Sequence, residues 1–332
     1  MMRYKLYITI LCLCSALMSN QYRDIPDVVT KVGTAAANWL KIESGVRAIG
    51  MGGAQVAAGS GISSVPYNPA SVSFIDGTEF YVSKTKYLVG VSHNVLGFGR
   101  QMTATDYFGL HLFYLDSGYM DETTPDAPNG TGKQFKVLSI AFSGVYGKTV
   151  TDRLKIGGSL KYIREDIMDV YMQSIAVDIG SNFDTGIFGL ILGMSVSNFG
   201  PEVQFKGQGL SQSVDSDVSP DESLHKITEK FPIPLMFRLG LKKDVKLPAL
   251  DHSITASIDM INPIDYTVYS SLGVEYNWTN RAFVRMGTHI GHSTAGFSLG
   301  LGLKYSFYTL DMAYVNYGVL NNTAQFSLGY KF

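Results

Sequence analysis

The chain has 332 residues, and its 27 Lys+Arg against 28 Asp+Glu leave a formal charge of −1. That balance excludes a general polyanion binder, which needs a strongly basic surface, so no nucleic-acid partner is expected. Charged residues make up only 17%, against roughly 25% in soluble domains. Beyond the opening segment no run reaches ~18 apolar residues, which excludes a polytopic helical membrane protein. Glycine (35 copies) and tyrosine (20 copies) are abundant. Low charge with middling hydropathy fits a closed β-barrel, whose outward apolar and inward polar residues average out.

Residues 1–20 place Arg3 and Lys5 before the apolar run Ile8–Met18. This is the pattern of a secretory signal peptide, too short for a membrane anchor. Both cysteines, Cys12 and Cys14, fall inside it, and the leucines before them do not suit lipidation. The exported chain should therefore have no disulfide framework, thiolate metal site or thiol nucleophile.

Residues 24–76 lack a two-residue period. Ala35–Ile42 is compatible with a short helix, followed by Gly45-Val-Arg-Ala-Ile-Gly-Met-Gly-Gly-Ala54 and Pro66-Tyr-Asn-Pro-Ala70. A dinucleotide fingerprint would need glycine where Gln55 stands, and Gly147-Lys148-Thr149 lacks the leading glycine of a P-loop. The glycine run reads instead as a compact bend.

From Gly77 onward the dominant period is two. Phe297, Leu299, Leu301, Leu303 and Tyr305 alternate with Gly296, Ser298, Gly300, Gly302 and Lys304. Turn signals cut the region into strands at 77–86, 88–98, 106–115, 134–147, 153–163, 170–181, 187–197, 234–243, 252–261, 267–276, 281–290, 294–304, 306–316 and 322–332. Fourteen is the even number that single-chain outer-membrane barrels require. The second segment is the least regular, because Val89, Val91, Val95 and Leu96 do not keep one parity. The longest connections, Asp116–Lys133 and Asn198–Pro232, both follow odd strands, whereas most connections after even strands are short. Gly99–Thr105 and Asp244–Asp251 are longer exceptions. Short turns face the periplasm and long loops the exterior, so odd strands should run outward and both termini should face the periplasm.

Sites of chemistry are scarce. Gly296-Phe-Ser-Leu-Gly300 matches a nucleophile elbow but sits in unbroken alternation, where Ser298 reads as a small inward residue. His289 and His292 lack the helix and glutamate of a zinc motif. Neither a metal nor a cofactor is expected. Arg281, Arg285 and His289 share one strand face, to be read as a positive strip in a pore or as an ion-pair network with Asp259, Glu275 and Asp311. Charges within a membrane commonly pair, which favours the network.

The opening motifs, Arg47-Ala-Ile-Gly50-Met51-Gly52-Gly53-Ala54 followed by Asn68-Pro69-Ala70, resemble those of the PorV/PorQ family, within the wider FadL-like group of fourteen-stranded outer-membrane barrels. The similarity continues at Tyr114-Leu-Asp-Ser-Gly118, Thr151-Asp-Arg-Leu-Lys-Ile-Gly157 and Phe237-Arg-Leu-Gly240. In place of the acidic stretch common between the two opening motifs stands Gly59-Ser-Gly-Ile-Ser-Ser64. The resemblance implies that residues 21–76 are an N-terminal hatch plugging a barrel of residues 77–332. It places Asn68-Pro69-Ala70 where the chain turns toward the first strand. The closing alternation Phe326, Leu328, Tyr330, Phe332 looks like the signal recognised by the barrel assembly machinery.

The expected location is the outer membrane of a Gram-negative-type bacterium, in contact with its lipid. The function implied by the resemblance is a non-enzymatic shuttle of the type IX secretion and gliding machinery. Such a shuttle takes secreted cargo by its C-terminal domain and meets other secretion-system subunits, with the acidic long loops as a docking surface. The alternative is a FadL-like channel for hydrophobic small molecules, with the hatch as gate and a lateral exit to the bilayer. An embedded enzyme is a third class, disfavoured by the missing nucleophile constellation.

Overall fold

A computed structural model describes residues 31–213, 223–225, 227–247 and 251–332. The expected signal peptide, and part of the second long loop, lie outside the described residues.

Period-two alternation builds one closed sheet. Its strands are β1 Thr78–Lys86, β2 Ser92–Gln101, β3 Asp106–Asp116, β4 Val137–Thr149, β5 Leu154–Ile167, β6 Val170–Asp184 and β7 Leu190–Phe199. They continue as β8 Met236–Leu247, β9 His252–Pro263, β10 Tyr269–Trp278, β11 Ala282–Ile290, β12 Phe297–Tyr305, β13 Tyr308–Asn316 and β14 Asn322–Lys331. Each strand pairs antiparallel with its sequence neighbours. β1 closes the ring on β14, with Phe80 opposite Tyr330 and Ser83 opposite Ser327. The fold is thus a fourteen-stranded antiparallel barrel.

Alternation sorts the side chains. On β12, Phe297, Leu299, Leu301 and Leu303 are exposed on the outer face while Ser298, Gly300 and Gly302 are buried within. Ser298 is the second residue of β12 and the strand runs on from it to Tyr305, with no strand-to-helix turn to make it an elbow. Aromatic rings gather where the ends of β13, β14 and β1 meet: Tyr330 lies 5.0 Å from Tyr308 and 5.2 Å from Phe332. Phe332 donates its backbone N–H to Thr78 at 3.0 Å.

Connections 102–105, 150–153, 185–189, 279–281 and 306–307 lie at one rim, and all are short. The two expected exceptions vanish because β2 and β8 run on to Gln101 and Leu247. The opposite rim carries 117–136 and the described parts of 200–235; the first folds back as a small hairpin, pairing Met120–Asp121 with Gln134–Phe135. β2 corrects the sequence reading. Residues 88–90 form a 3-10 turn with left-handed Val89 and Gly90, so the strand begins at Ser92. From there His93, Val95, Gly97 and Gly99 keep one inward parity.

One stretch of wall is irregular. The β6–β7 register shifts at Val177/Ile179, and β7 ends at Phe199. Past that point the backbone of the 200–235 loop takes over, with Lys206 opposite Tyr171 and Gly207 opposite Val170.

Residues 35–76 fill the lumen. Val46, Ile49, Met51, Val56, Ile62 and Val72 are all fully buried. The expected helix over 35–42 shrinks to a 3-10 turn, Asn38–Lys41, because Ala37 turns left-handed just before it. A five-residue α-helix, α1 (Val46–Gly50), instead opens the glycine run. The bend follows at Gly52 and Gly53, whose positive φ of 61° and 76° suits glycine alone at low cost.

Candidate functional site

The site is the contact between this hatch and the wall. It starts at the long-loop rim, where residues 35–44 cross as a strap. Ala36 donates its N–H to Pro232 at 2.9 Å, and Trp39 Nε1 donates to Glu165 at the end of β5 (2.8 Å). Lys41 pairs with Asp265 of the β9–β10 loop at 2.5 Å, and Glu43 with His289 near the end of β11 at 3.0 Å. The first described residues therefore lie at the rim opposite Phe332; the N-terminus itself, which the sequence expectation placed beside the C-terminus, lies outside the described residues.

Below the strap, α1 carries Arg47 into the wall. Its guanidinium donates to Glu275 on β10 through Nε (2.9 Å) and Nη2 (2.8 Å), and Nη1 reaches Gln55 and Ala58 within the hatch. Glu275 also accepts from Arg285 Nε at 2.6 Å, and Arg285 Nη1 donates to Asp311 at 2.6 Å. One carboxylate thus bridges a hatch arginine and a wall arginine. Burial alone would favour discharging Arg47, but the Glu275 carboxylate outweighs it and raises the pKa. Bidentate, charge-assisted contacts of this kind fix orientation as well as energy.

The remaining lumen-facing candidates divide. Asp259 is fully buried and accepts the Val56 N–H at 2.8 Å rather than joining an arginine. Arg281 is exposed in the 279–281 turn, one residue before β11 starts, so it reaches no member of the network. His292 lies in the 291–296 loop, 5.6 Å from His289 ring to ring. Among the described residues no His/Cys/Asp/Glu group has the spacing to hold a metal ion.

The second opening motif locks the far end of the hatch. Asn68 accepts the Ala70 N–H at 3.0 Å, capping the 3-10 helix Pro69–Phe74 that leads into β1. Its amide donates to Val56 (2.8 Å) and to Ser181 of β6 (3.0 Å). An aspartate here would lose both donations, so the motif depends on an amide.

Close approach explains the inward glycines. A Cβ on Gly157 would lie 2.5 Å from the backbone of Pro69 and Ala70, one on Gly193 2.5 Å from Val56, and one on Gly300 2.9 Å from Gly50. Cβ atoms on Gly273 and Gly287 would overlap the backbone of Met51. In the sequence these positions read only as small inward residues; they are the seats of the hatch.

A small, partly open space of about 40 Å³ remains between strap and wall. Trp39, Ile42, Val65 and Phe113 line its apolar side, and His111, Lys161, Asp178, Asn198 and Arg238 its polar side. Lys161 is held by Asp178 (2.9 Å) and Asn198 (2.7 Å), at the irregular stretch of the β6–β7 wall. Arg238 donates to Ser197 at 2.8 Å and has no carboxylate partner among the described residues. His111 Nε2 is buried without a hydrogen-bond partner among the described residues.

No family model matches the chain, and no curated protein matches it in sequence. Among solved structures it is similar to the CymD monoaromatic hydrocarbon channel (TM-score 0.57, 12% identity, covering 87% of this chain and 97% of that one). It is also similar to the Ralstonia pickettii toluene transporter TbuX (0.55, 13%, 87% and 98%). A third is a Pseudomonas aeruginosa FadL homologue (0.53, 14%, 88% and 99%). The likeness is one of fold: a closed, fourteen-stranded, FadL-like barrel. None of these three is named as a PorV/PorQ protein.

Proposed function

We propose that the chain is a non-enzymatic outer-membrane channel for small hydrophobic molecules. The observation that carries this reading is the small, partly open space under the strap, lined by both apolar and polar side chains, which abuts the place where the β6–β7 ladder is interrupted. A molecule released there would meet the bilayer through wall built from loop rather than strand. Ligand pockets usually measure about 300–1,000 Å³, so the space must expand, which requires the strap or the 200–207 segment to move. The fold shared with hydrocarbon channels supports the same reading.

A staple tests it. Tyr171→Cys with Lys206→Cys places thiols on directly paired positions, a geometry that a disulfide can span. Toluene uptake into cells or vesicles should fall about tenfold when oxidised and return on reduction. Uptake unaffected by oxidation would sink the channel reading.

The secretion shuttle remains the second reading, because the hatch fills the lumen and the opening motifs resemble PorV/PorQ. In that case the stapled chain should still support display of secreted cargo. The closing aromatics, Tyr330 and Phe332, are proposed as the assembly signal; Phe332→Ala should lower the yield of folded, heat-modifiable barrel severalfold. Orientation is tested separately. A cysteine at Asn129 in the 117–136 loop should label on intact cells, and one at Thr151 in a short turn should not.

A further inference from the structure

We propose that Glu43 and His289 form a proton-operated latch, which holds the strap across the long-loop rim while the imidazole is protonated and loosens it when the proton leaves. Whatever passes through or docks on the barrel, this device concerns the strap itself.

Three elements build the latch. The strap brings Glu43, β11 brings His289, and the hatch turn supplies a floor: a Cβ on Gly53 would overlap the Glu43 carboxylate. Gly52 packs equally closely, since a Cβ there would lie 2.5 Å from the Thr288 backbone nitrogen, one residue from His289. The carboxylate is therefore confined between glycine and imidazole. His289 Nε2 lies 3.0 Å from Glu43 Oε1, and the His289 side chain is only 5% exposed. Its Nδ1 is buried with no partner among the described residues, where Glu43 is the one hydrogen-bond partner of the ring. Of the strap's three side-chain ties to the wall, this is the one whose cation titrates near neutrality. Trp39 carries no charge, and the Lys41 tie is an ammonium on the Asp265 carboxylate with no imidazole in it.

Several other groups face the pair. His292 comes from the 291–296 loop, and Tyr269 of β10 lies 5.9 Å from the His289 ring. Arg238 from β8 and Tyr67 from the hatch act on the carboxylate. Burial pushes the Tyr67 phenol pKa up, so Tyr67 is neutral through the pH range in question. Burial and the neighbouring His289 lower the His292 pKa, so His292 loses its proton earlier as pH rises.

The sign follows from the two partners. Burial opposes the charge on Glu43, yet the His289 imidazolium outweighs it and holds the carboxyl below its usual range. The Glu43 contribution is present above the ordinary carboxylate pKa and is lost as pH falls through the lowered value. The imidazolium contribution is lost as pH rises through the imidazole range. Between those limits the latch is fully charged. Above them a neutral hydrogen bond remains, roughly half as strong.

The test follows the strap directly. A nitroxide is attached at exposed Asn38 through Asn38→Cys, with Cys12 and Cys14 replaced by serine, and the full-length barrel is placed in lipid nanodiscs. Between about pH 5.5 and about pH 8.5 the ratio of mobile to immobile label should rise about fivefold, as expected for exchanging a charged hydrogen bond for a neutral one. His289→Gln should sit at the high-pH ratio throughout, while His292→Gln should keep the native profile. If His289→Gln gives no heat-modifiable barrel, Glu43→Gln reads the same point. A native profile that is flat, or one that survives in His289→Gln or Glu43→Gln, would overturn the latch.

Discussion

Glu275→Leu should be among the most damaging single substitutions in this chain, lowering stability by about 3–5 kcal/mol, the usual cost of breaking a buried ion pair from one side. Glu275 is 6% exposed and Arg285 2%, so the Arg285 guanidinium cannot recover its hydration in place, while that of Arg47, 23% exposed, recovers only part of it. Removing the shared carboxylate leaves Arg47 with only Gln55 and Ala58, and leaves two cations facing each other without the anion between them. The added leucine surface offers no more than ~2 kcal/mol in return. The measurement is the temperature at which the folded gel band converts to the unfolded one, together with trypsin cleavage after Arg47 or Lys41. Both should report early release of the hatch.

The double variant separates the pair from the fold. With Arg47→Met and Glu275→Leu together, Arg285 still has Asp311 at 2.6 Å and no charge is stranded in the hatch. Most of the loss should be recovered, giving a coupling energy of 1–3 kcal/mol in a double-mutant cycle, within the range of about 0.5–3 kcal/mol seen for contacting residues. Additive losses would mean that Arg47 and Glu275 act separately, and that the hatch is held by packing alone.

Much of the barrel was legible because strand alternation is local. A lipid-facing or lumen-facing position is fixed by its neighbours two residues away, so β12 and β9 could be read directly. The reading stumbled where local signals mix. Val89 and Val91 look like strand residues, but Gly90 turns the chain before the ladder begins. Arg281 keeps the parity of Arg285 and yet falls one residue short of β11. Within the hatch, α1 is too short for a 3.6-residue period to stand out, and its glycine-rich surroundings mask it.

The site was legible only in part. Arg285, Glu275 and Asp311 could be grouped by strand parity, and the structure brings those three together. Their link to Arg47 spans 228 residues of sequence, and nothing local encodes such a partner. Lys41, Glu43 and Trp39 were missed for the same reason. Lys161 and Asp178 do carry a local signal, since each alternates with apolar neighbours along its strand, yet neither was among the candidates read from the sequence. Which carboxylate meets which cation depends on barrel closure and on the path of the hatch, both of which are tertiary.

Gly287→Val should separate barrel from plug more cleanly than any change to a charge. Gly287 lies opposite Gly273 on β10 and Ser298 on β12, forming a flat patch on which Met51 and Gly52 rest. A side chain at Gly287 would overlap the Met51–Gly52 peptide, and backbone cannot swing aside as a flexible side chain can. Valine is well suited to the strand itself, so the cost falls on the hatch rather than on the ladder. The expected product is a folded, heat-modifiable barrel whose hatch is cut by trypsin at Lys41 and Arg47. Cells carrying it should admit large antibiotics that the native chain excludes, with sensitivity rising about tenfold or more. Gly144→Val supplies the control, since nothing lies within 4 Å of a Cβ there, and it should leave both readouts unchanged. A Gly287→Val barrel that keeps its hatch protected and its permeability low would show that the turn at Met51–Gly53 can shift without undocking, and that the glycine seats do not hold the plug.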